Sequence, residues 1–138
     1  MRMDEHTLVE AAKRAMQYSY SPYSHCKVGA ALLTSDGHII TGCNIENAAY
    51  GPTNCAERTA IFKAVSEGYR NFVAIAVAGG VDGVIQGIFS PCGVCRQVMR
   101  EFCTNDFRIL LVTSDGYEER TLEELLPDSF SPSDITNR

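Results

Sequence analysis

Short apolar runs alternate with helix-like stretches along this chain, and this alternation restricts the possible folds more than any other feature. Ser35-Asp36-Gly37 separates the first two runs, and an Asp-Gly pair favours the positive φ angles of a tight antiparallel hairpin. Strands that then alternate with helices predict an α/β fold, a three-layer α/β/α sandwich with a mixed sheet of about five strands. The predicted strands are residues 27–34, 38–43, 72–78, 107–113 and 117–121.

Four helices are predicted from the spacing of apolar residues and from residues that favour helix ends. The first has Asp4 as a candidate N-cap, the second can end at Gly68 in the left-handed conformation, and Pro127 stops the last. Residues 79–87 are predicted to form a glycine-rich loop, and the tail after about residue 130 is predicted to have little order. The predicted helices are residues 4–18, 55–67, 92–103 and 121–126.

The length of 138 residues and an ordinary composition predict one soluble domain spanning residues 1–138. Twelve basic and seventeen acidic residues give a formal net charge of −5, whereas proteins that bind a phosphate backbone usually present a basic face. A nucleic acid is therefore not expected as a partner. No apolar run approaches the roughly 18 residues of a membrane span, and the N-terminus does not resemble a secretion signal, which predicts a cytoplasmic protein without a membrane partner.

Six cysteines in a chain of this length are more typical of metal binding or catalysis than of a disulfide scaffold. Cys92 and Cys95 lie at i and i+3 of a predicted helix, so both sulfurs can reach one tetrahedral metal ion. Cys55 begins another predicted helix and is the natural third ligand. Partial positive charge at both helix starts should lower the pKa values of these cysteines and favour thiolates. The even number of cysteines leaves disulfides formally possible. Cys43 and Cys103 are predicted to pack in the core.

Three thiolates suit zinc with a fourth position left open, as in catalytic rather than structural zinc sites. Water bound at an open position can ionise near neutral pH, and Glu57 is the candidate group to manage its proton. The thiolates leave a net negative charge that works against this ionisation. Arg58, at i+3 from Cys55, is predicted to donate an N–H hydrogen bond to that sulfur and offset the charge. Arg96, at i+4 from Cys92, is predicted to do the same for the Cys92 sulfur.

The combination of Cys-Ala-Glu at 55–57 with Pro-Cys-x-x-Cys at 91–95 resembles the zinc signature of the nucleoside deaminases. The resemblance runs from about residue 4 to residue 130 and is to the small homotetrameric zinc-dependent cytidine deaminases of the cytidine/deoxycytidylate deaminase superfamily. The other segments that resemble this family are Tyr-Ser-Pro-Tyr-Ser at 20–24, Val-Gly-Ala-Ala-Leu-Leu at 28–33, Gly-Cys-Asn-Ile-Glu-Asn-Ala-Ala-Tyr at 42–50, Cys-Ala-Glu-Arg-Thr-Ala at 55–60 and Glu-Leu-Leu-Pro at 124–127.

The resemblance implies a hydrolase with one zinc ion per subunit that deaminates cytidine and 2′-deoxycytidine to uridine and 2′-deoxyuridine with release of ammonia, a reaction of pyrimidine salvage. Glu57 would protonate ring N3 and then carry a proton to the departing amino group. Asn44 and Glu46 would bind the ribose hydroxyls, as an amide and a carboxylate can. The backbone N–H of Ala56 would donate to the pyrimidine carbonyl, and the Ser90 carbonyl would face the leaving amino group.

The resemblance also implies a homotetramer in which neighbouring subunits complete each other's sites. Tyr50 and Phe130 match aromatic positions that such tetramers lend to a neighbour, so oligomerisation would be needed for activity. Cys26 departs from the family pattern, which usually has an aromatic residue, commonly phenylalanine, packed against the base at this position. A smaller apolar surface there predicts weaker binding of the base or tolerance of a bulkier one.

Several alternatives remain open at this point. A deaminase of a modified cytosine nucleoside, such as blasticidin S, would use the same chemistry with different sugar contacts. A non-catalytic zinc-stabilised module would bind metal without an open, water-reactive position. A nucleic-acid-editing deaminase is disfavoured because three lysines and a net charge of −5 provide no basic groove. Sulfur-rich tetrahedral ligation favours zinc, although iron also accepts thiolate ligands.

Overall fold

The computed structural model describes residues 4–136 and contains one sheet of five strands. The strands are β1 (Cys26–Thr34), β2 (Ile39–Cys43), β3 (Phe72–Val81), β4 (Arg108–Thr113) and β5 (Gly116–Thr121). Their order across the sheet is β2-β1-β3-β4-β5, and β3 runs parallel to β4 while the other neighbours are antiparallel. Gly37 has a φ of 95° in the turn between β1 and β2, as the Asp-Gly pair predicts. The predicted mixed sheet is confirmed.

Helices lie on both faces of the sheet, which confirms the predicted α/β/α sandwich. They are α1 (Glu5–Ala15), α2 (Ala56–Ser66), α3 (Gly93–Phe102), α4 (Leu122–Leu125) and α5 (Ser133–Thr136), and a short 3₁₀ helix (Met16–Tyr18) extends α1. Asp4 caps α1 as predicted, since its carboxylate accepts hydrogen bonds from the backbone N–H groups of His6 and Thr7. No helix within residues 4–136 is both long and apolar enough to span a membrane.

Alternating side chains of the central strands form two apolar cores, one on each side of the sheet. Leu33 of β1 packs in one core with Leu8 of α1. Leu32, the preceding residue of the same strand, belongs to the other core with Ile61 of α2 and Met99 of α3. Because α2 and α3 share this second face and contact each other, the residues at their N-terminal ends can form one site.

Two glycines allow the helices to approach the sheet closely. A Cβ atom at Gly29 of β1 would lie 2.1 Å from the carbonyl oxygen of Ala12 in α1. A Cβ atom at Gly42 of β2 would lie 2.5 Å from the backbone nitrogen of Ala60 and 2.7 Å from the carbonyl oxygen of Ala56, both in α2. Any side chain at these positions would push the helix away from its strand.

β3 is longer than the sequence predicts. Residues 79–81, predicted to begin a loop, continue the strand, and Gly79 pairs with Val28 of β1. The hydrogen-bonding partner supplied by β1 outweighs the low strand propensity of glycine. The loop therefore begins after Val81, so that prediction is wrong for its first three residues.

The described part of the C-terminal segment contains a short helix that the sequence analysis does not predict. α5 forms there, and the Ser131 backbone N–H donates to the Asp134 carboxylate at 2.7 Å just before it. Ser131 is itself buried. A capped turn with a buried residue at its start therefore allows a short helix in a segment that has no apolar periodicity.

Candidate functional site

The N-terminal ends of α2 and α3 bring three cysteine sulfurs together. Cys55 immediately precedes α2, Cys92 immediately precedes α3, and Cys95 lies in the first turn of α3. The three sulfur atoms lie within 4.8 Å of one another, with 3.7 Å between Cys55 and Cys92 and 3.5 Å between Cys92 and Cys95. Tetrahedral zinc with Zn–S distances of about 2.3 Å places its sulfurs about 3.8 Å apart, so this cluster fits a zinc ion.

The cluster offers three ligands rather than four. No histidine, aspartate or glutamate within residues 4–136 joins the three sulfurs as a further ligand. Cys95 is fully buried, whereas Cys55 and Cys92 line a cavity, so the side of the cluster without a protein ligand faces that cavity. Three protein ligands with a fourth position open to a cavity are typical of catalytic zinc sites.

Hydrogen bonds stabilise negative charge on one of the three sulfurs, that of Cys55. The Cys95 thiol donates to Cys55, and this contact, together with those from Arg58 and Cys92, lowers the pKa of Cys55 against the opposing effect of burial. The hydrogen bond with Cys55, together with burial, raises the pKa of Cys95, so the predicted lowering is wrong for Cys95. Arg58 donates from Nη2 to the Cys55 sulfur at 3.3 Å. Burial disfavours the charged guanidinium, but hydrogen bonds to Cys55 and Cys95 raise the pKa of Arg58 and keep it cationic. The structure thus places Arg58 against the Cys55 sulfur, where its positive charge offsets the negative charge of the thiolate.

Arg96 differs from its prediction. It donates from Nε to the Pro91 carbonyl at 2.8 Å, from Nη1 to the Leu125 carbonyl at 2.8 Å and from Nη2 to the Ser90 hydroxyl at 2.9 Å. The three nitrogens therefore bind oxygen atoms, and the predicted hydrogen bond to the Cys92 sulfur is not formed. Oxygen is a stronger hydrogen-bond acceptor than sulfur. The Leu125 carbonyl oxygen belongs to a part of the chain far from Arg96 in sequence, so helical spacing cannot reveal this contact. Arg96 ties the segment before α3 to the end of α4.

A cavity of about 240 Å³ lies beside the sulfur cluster and contains Glu57 in its wall. The Glu57 side chain is buried, and burial, with a smaller effect of the neighbouring Cys55, raises the pKa of Glu57 to about 7. A carboxyl group that titrates near neutral pH can both accept and donate a proton. The other residues that line the cavity are Ser24, Cys26, Val28, Asn44, Glu46, Thr53, Asn54, Cys55, Ala56, Phe89, Ser90 and Cys92.

The start of α2 reaches this cavity without a side-chain cap. Cys55 occupies the N-cap position, and its side chain makes no capping hydrogen bond. The first backbone N–H groups of α2, that of Ala56 among them, are therefore available to a ligand. Ser90 lines the same cavity, and the hydrogen bond that its hydroxyl accepts from Arg96 fixes the backbone that carries the Ser90 carbonyl.

Asn44 lines the cavity but uses most of its hydrogen-bonding capacity within the protein. Its side-chain oxygen accepts from the Val28 N–H at 3.0 Å and from the Ser19 hydroxyl. Its amide nitrogen donates to the Cys26 carbonyl at 2.7 Å. Within the described structure, one amide N–H remains for a ligand. Asn44 therefore holds the start of β1 in place and can offer one donor to the cavity.

Glu46 accepts three hydrogen bonds from a single turn. One carboxylate oxygen accepts from the backbone N–H groups of Tyr23 at 3.0 Å and Ser24 at 3.1 Å, and the other accepts from the Ser24 hydroxyl. These contacts, that of the Ser24 hydroxyl above all, lower the pKa of Glu46 and keep it ionised. The second oxygen retains an acceptor site for a hydroxyl group. Only the place of Ser24 at the end of the Tyr-Ser-Pro-Tyr-Ser segment could have indicated its role from sequence.

Tyr50 and Phe130 lie outside this cavity. Tyr50 lines a second cavity of about 430 Å³, which adjoins the first because Ser24, Glu46 and Thr53 line both. The Tyr50 side chain is 75% exposed and that of Phe130 is 58% exposed. Exposed aromatic residues are enriched at contacts between proteins. Their assignment to a neighbouring subunit's site stays a prediction.

Cys26, predicted to lie beside the base, is half-buried in the cavity wall at the first position of β1. Phe89 is the one aromatic residue among the described residues that line this cavity. Its place two residues before Pro91 is the only sequence signal that could have marked it. The cavity thus combines one aromatic ring with a thiol and small apolar side chains.

The remaining cysteines lie away from the cluster, and none of the six forms a disulfide. Cys103 is buried, and burial raises its pKa to about 12, so its predicted place in the core is confirmed. Cys43 is only half-buried, and its thiol donates to the Tyr18 carbonyl at 3.3 Å. The prediction of core packing is therefore only partly met for Cys43.

Known proteins resemble this chain over most of its length. Residues 2–111 match the family described as the cytidine and deoxycytidylate deaminase zinc-binding region. A cytidine deaminase of Sporosarcina psychrophila is 50% identical over 135 residues, which cover 97% of this chain and 96% of that protein. The crystal structure of cytidine deaminase from Burkholderia pseudomallei has a TM-score of 0.86 and 48% identity, covering 93% of this chain and 100% of that one. A blasticidin-S deaminase of Bacillus cereus is 35% identical over 129 residues, 90% of each chain.

These similarities include the residues that form the site. The matched range 2–111 contains the three clustered cysteines and Glu57. The cluster has the geometry that suits the metal named in the family's description. The chain therefore belongs to the cytidine and deoxycytidylate deaminase family and carries its zinc-binding region at the start of two helices of an α/β/α sandwich.

Proposed function

We propose that the protein is a zinc-dependent cytidine deaminase that converts cytidine and 2′-deoxycytidine, with water, to uridine and 2′-deoxyuridine and ammonia. The observation that carries this proposal is the buried Glu57 carboxyl in the wall of a cavity onto which Cys55 and Cys92 open. The curated cytidine deaminase that is 50% identical to the chain supports the choice of substrate.

Cys55, Cys92 and Cys95 would hold the zinc ion, which supplies an activated water molecule for attack on C4 of the base. Glu57 would take one proton of that water and deliver it to ring N3, and would then carry the second proton of the same water, from the hydroxyl group on C4, to the amino nitrogen, which leaves as ammonia. A pKa of about 7 lets Glu57 accept and release the proton at neutral pH. Arg58 offsets the negative charge of the sulfurs.

The substrate is positioned by groups that remain free at the cavity. The Ala56 N–H binds the pyrimidine carbonyl, and the Ser90 carbonyl accepts from the amino group. The remaining amide N–H of Asn44 and the free acceptor site of Glu46 bind ribose hydroxyls. No lysine or arginine is among the described residues that line this cavity or the adjoining one, which favours an uncharged nucleoside over a nucleotide phosphate.

We further propose that residues 1–138 form one domain that assembles into a homotetramer in the cytoplasm and serves pyrimidine salvage. The exposed rings of Tyr50 and Phe130 support an assembly in which one subunit lends aromatic surface to another. The second candidate substrate is a modified cytosine nucleoside such as blasticidin S. The Cys26 side chain in the cavity wall is small and leaves room beside the base. This observation favours the second candidate substrate.

The test follows the loss of cytosine absorbance when purified protein is mixed with cytidine or 2′-deoxycytidine, together with the zinc content per chain. We expect turnover of both nucleosides with about one zinc per chain. Glu57→Gln removes the proton carrier and should lower kcat by a factor of at least about 10²–10⁴ while zinc content and thermal midpoint are retained. Glu67→Gln, on an exposed residue at the end of α2, is the matched control and should leave kcat unchanged.

Each outcome has a distinct meaning. Stoichiometric zinc without turnover of either nucleoside would contradict the proposed substrate, and turnover of blasticidin S under the same conditions would establish the second candidate. Turnover that Glu57→Gln leaves intact would show that the carboxyl does not move the proton. Zinc without turnover of any cytosine nucleoside would indicate a structural metal site.

A further inference from the structure

The cavity contains one aromatic surface, and it does not come from the sheet. Among the described lining residues only Phe89 has an aromatic ring, and this residue belongs to the loop between β3 and α3. The ring is half-buried and packs against the apolar core that α2 and α3 share with the sheet. Phe89 therefore presents one part of its ring to the core and another to the cavity.

Gly79 allows the ring to lie against the sheet. A Cβ atom at Gly79 would lie 2.9 Å from both Cγ and Cδ2 of Phe89, so the ring occupies the place of the missing side chain. Gly79 pairs with Val28 across β1 and β3, and paired residues project to the same face of a sheet. The Phe89 ring consequently lies next to Val28, which also lines the cavity.

Cys26 lies two positions before Val28 on the same strand, and side chains at i and i+2 project to one face. Cys26, Val28 and the ring of Phe89 therefore form one continuous apolar part of the wall. The hydrogen-bonding groups of the wall, Glu57 and Ser90 among them, can serve the polar edge of a flat ligand. A nucleobase has polar edges and apolar faces, and its faces bind best to an aromatic ring.

We propose that the Phe89 ring is the surface on which the pyrimidine base stacks, and that Gly79 is the residue that lets the ring take this position. The inference rests on the proposed function, since it assigns a residue to the binding of that same substrate. It also gives Cys26 a physical role, because a small side chain beside the ring leaves the space that the base occupies.

The first test compares the steady-state constants for cytidine of the wild type and of Phe89→Leu. Stacking of a base on an aromatic side chain contributes enough for its loss to raise KM by about 5- to 100-fold, with a smaller change in kcat. Phe89→Tyr keeps the ring and should retain the wild-type KM. Ile88→Ala is the matched control, because Ile88 is the preceding apolar residue and does not line this cavity, and it should leave both constants unchanged.

The second test places a ring at position 26. Cys26→Phe puts a second ring into space that the base and Phe89 already fill, so it should raise KM in the wild-type background. In the Phe89→Leu background the new ring can replace the lost one, and Cys26→Phe should then lower KM. Cys26→Phe should thus raise KM in one background and lower it in the other. These opposite effects are expected only if both side chains border the same face of the base.

Zinc content and thermal midpoint show that each variant is folded, and Phe89→Met takes the place of Phe89→Leu if the latter does not fold. A wild type that does not deaminate cytidine contradicts the proposed function itself. A wild type that does, together with an unchanged KM in Phe89→Leu or a fall in kcat alone, overturns only the stacking role. A change in KM in the same direction when Cys26→Phe is introduced into the wild type and into Phe89→Leu also overturns the stacking role.

Discussion

At the scale of single residues, Arg58 and Arg96 show how a hydrogen-bond acceptor decides what a charged side chain does. Each lies one helical turn after a clustered cysteine, and the spacing predicts the same contact for both. Arg58 donates to the Cys55 sulfur at 3.3 Å, whereas Arg96 finds three oxygen acceptors. Only Arg58 can therefore tune the charge of the cluster through a direct hydrogen bond.

Arg58→Met should weaken zinc binding by a factor of about 10–100, because the substitution removes a hydrogen bond and a positive charge from a ligand sulfur. The measurement is competition with a chromophoric chelator at fixed pH. Arg100→Met is the matched control, since Arg100 lies in α3 and donates to the Ser129 hydroxyl and the Cys103 carbonyl, away from the cluster. Equal zinc affinities for the two variants would contradict the role of Arg58.

Residue positions that depend on neighbours in the chain could be predicted from sequence. Cys92 and Cys95 lie one helical turn apart, and Cys55 and Cys92 each begin a predicted helix. Local spacing was therefore sufficient to identify the three clustered cysteines. Phe89 and Ser24 could not be identified in this way. Phe89 lines the cavity because a glycine in β3 gives its ring room, and Ser24 does so because its turn binds Glu46.

At the scale of secondary-structure elements, the position of α2 depends on its contact with β2. Gly42 brings the backbone of β2 against the first two turns of α2, where Ala56 and Ala60 lie. The same turns carry Glu57 and follow Cys55 directly. The distance between strand and helix therefore sets the position of Glu57, the proposed proton carrier, relative to the sulfurs.

Gly42→Ala should lower stability by about 1–3 kcal/mol and also reduce kcat, because the new methyl group displaces the start of α2. Gly29→Ala is the matched control, since it displaces α1 on the opposite face of the sheet. We expect it to lower the thermal midpoint while zinc affinity and kcat remain near those of the wild type. A fall in kcat that is equal in the two variants would show that general destabilisation, rather than displacement of α2, is responsible.

Most elements could be predicted because their apolar spacing and their end residues agree, as in α1 with its Asp4 cap. The extension of β3 through Gly79 and Gly80 could not, since strand pairing with β1 rather than local propensity determines it. α5 likewise depends on the contact between Ser131 and Asp134. The misassigned strand residues include Gly79, which is the residue on which Phe89 packs.

At the scale of the whole molecule, the chain leaves large aromatic side chains exposed. Besides Tyr50 and Phe130, which the proposed assembly would bury, Tyr18 is 78% exposed. Burial of such rings between subunits would favour association. If neighbours share their sites, activity should depend on which subunits meet, and not only on each subunit's own residues.

Mixed assemblies of two inactive variants test this dependence. Glu57→Gln lacks the proton carrier, and Phe130→Ala lacks the ring that we propose is lent to a neighbour, so each alone should show little activity. After dissociation and reassembly at equal amounts, a site works when its own subunit has Glu57 and its neighbour has Phe130, which random mixing gives in about a quarter of the sites. Activity should therefore rise well above the sum of the separate variants. Activity that stays at that sum, or full activity of Phe130→Ala alone, would show that each subunit's site is complete in itself.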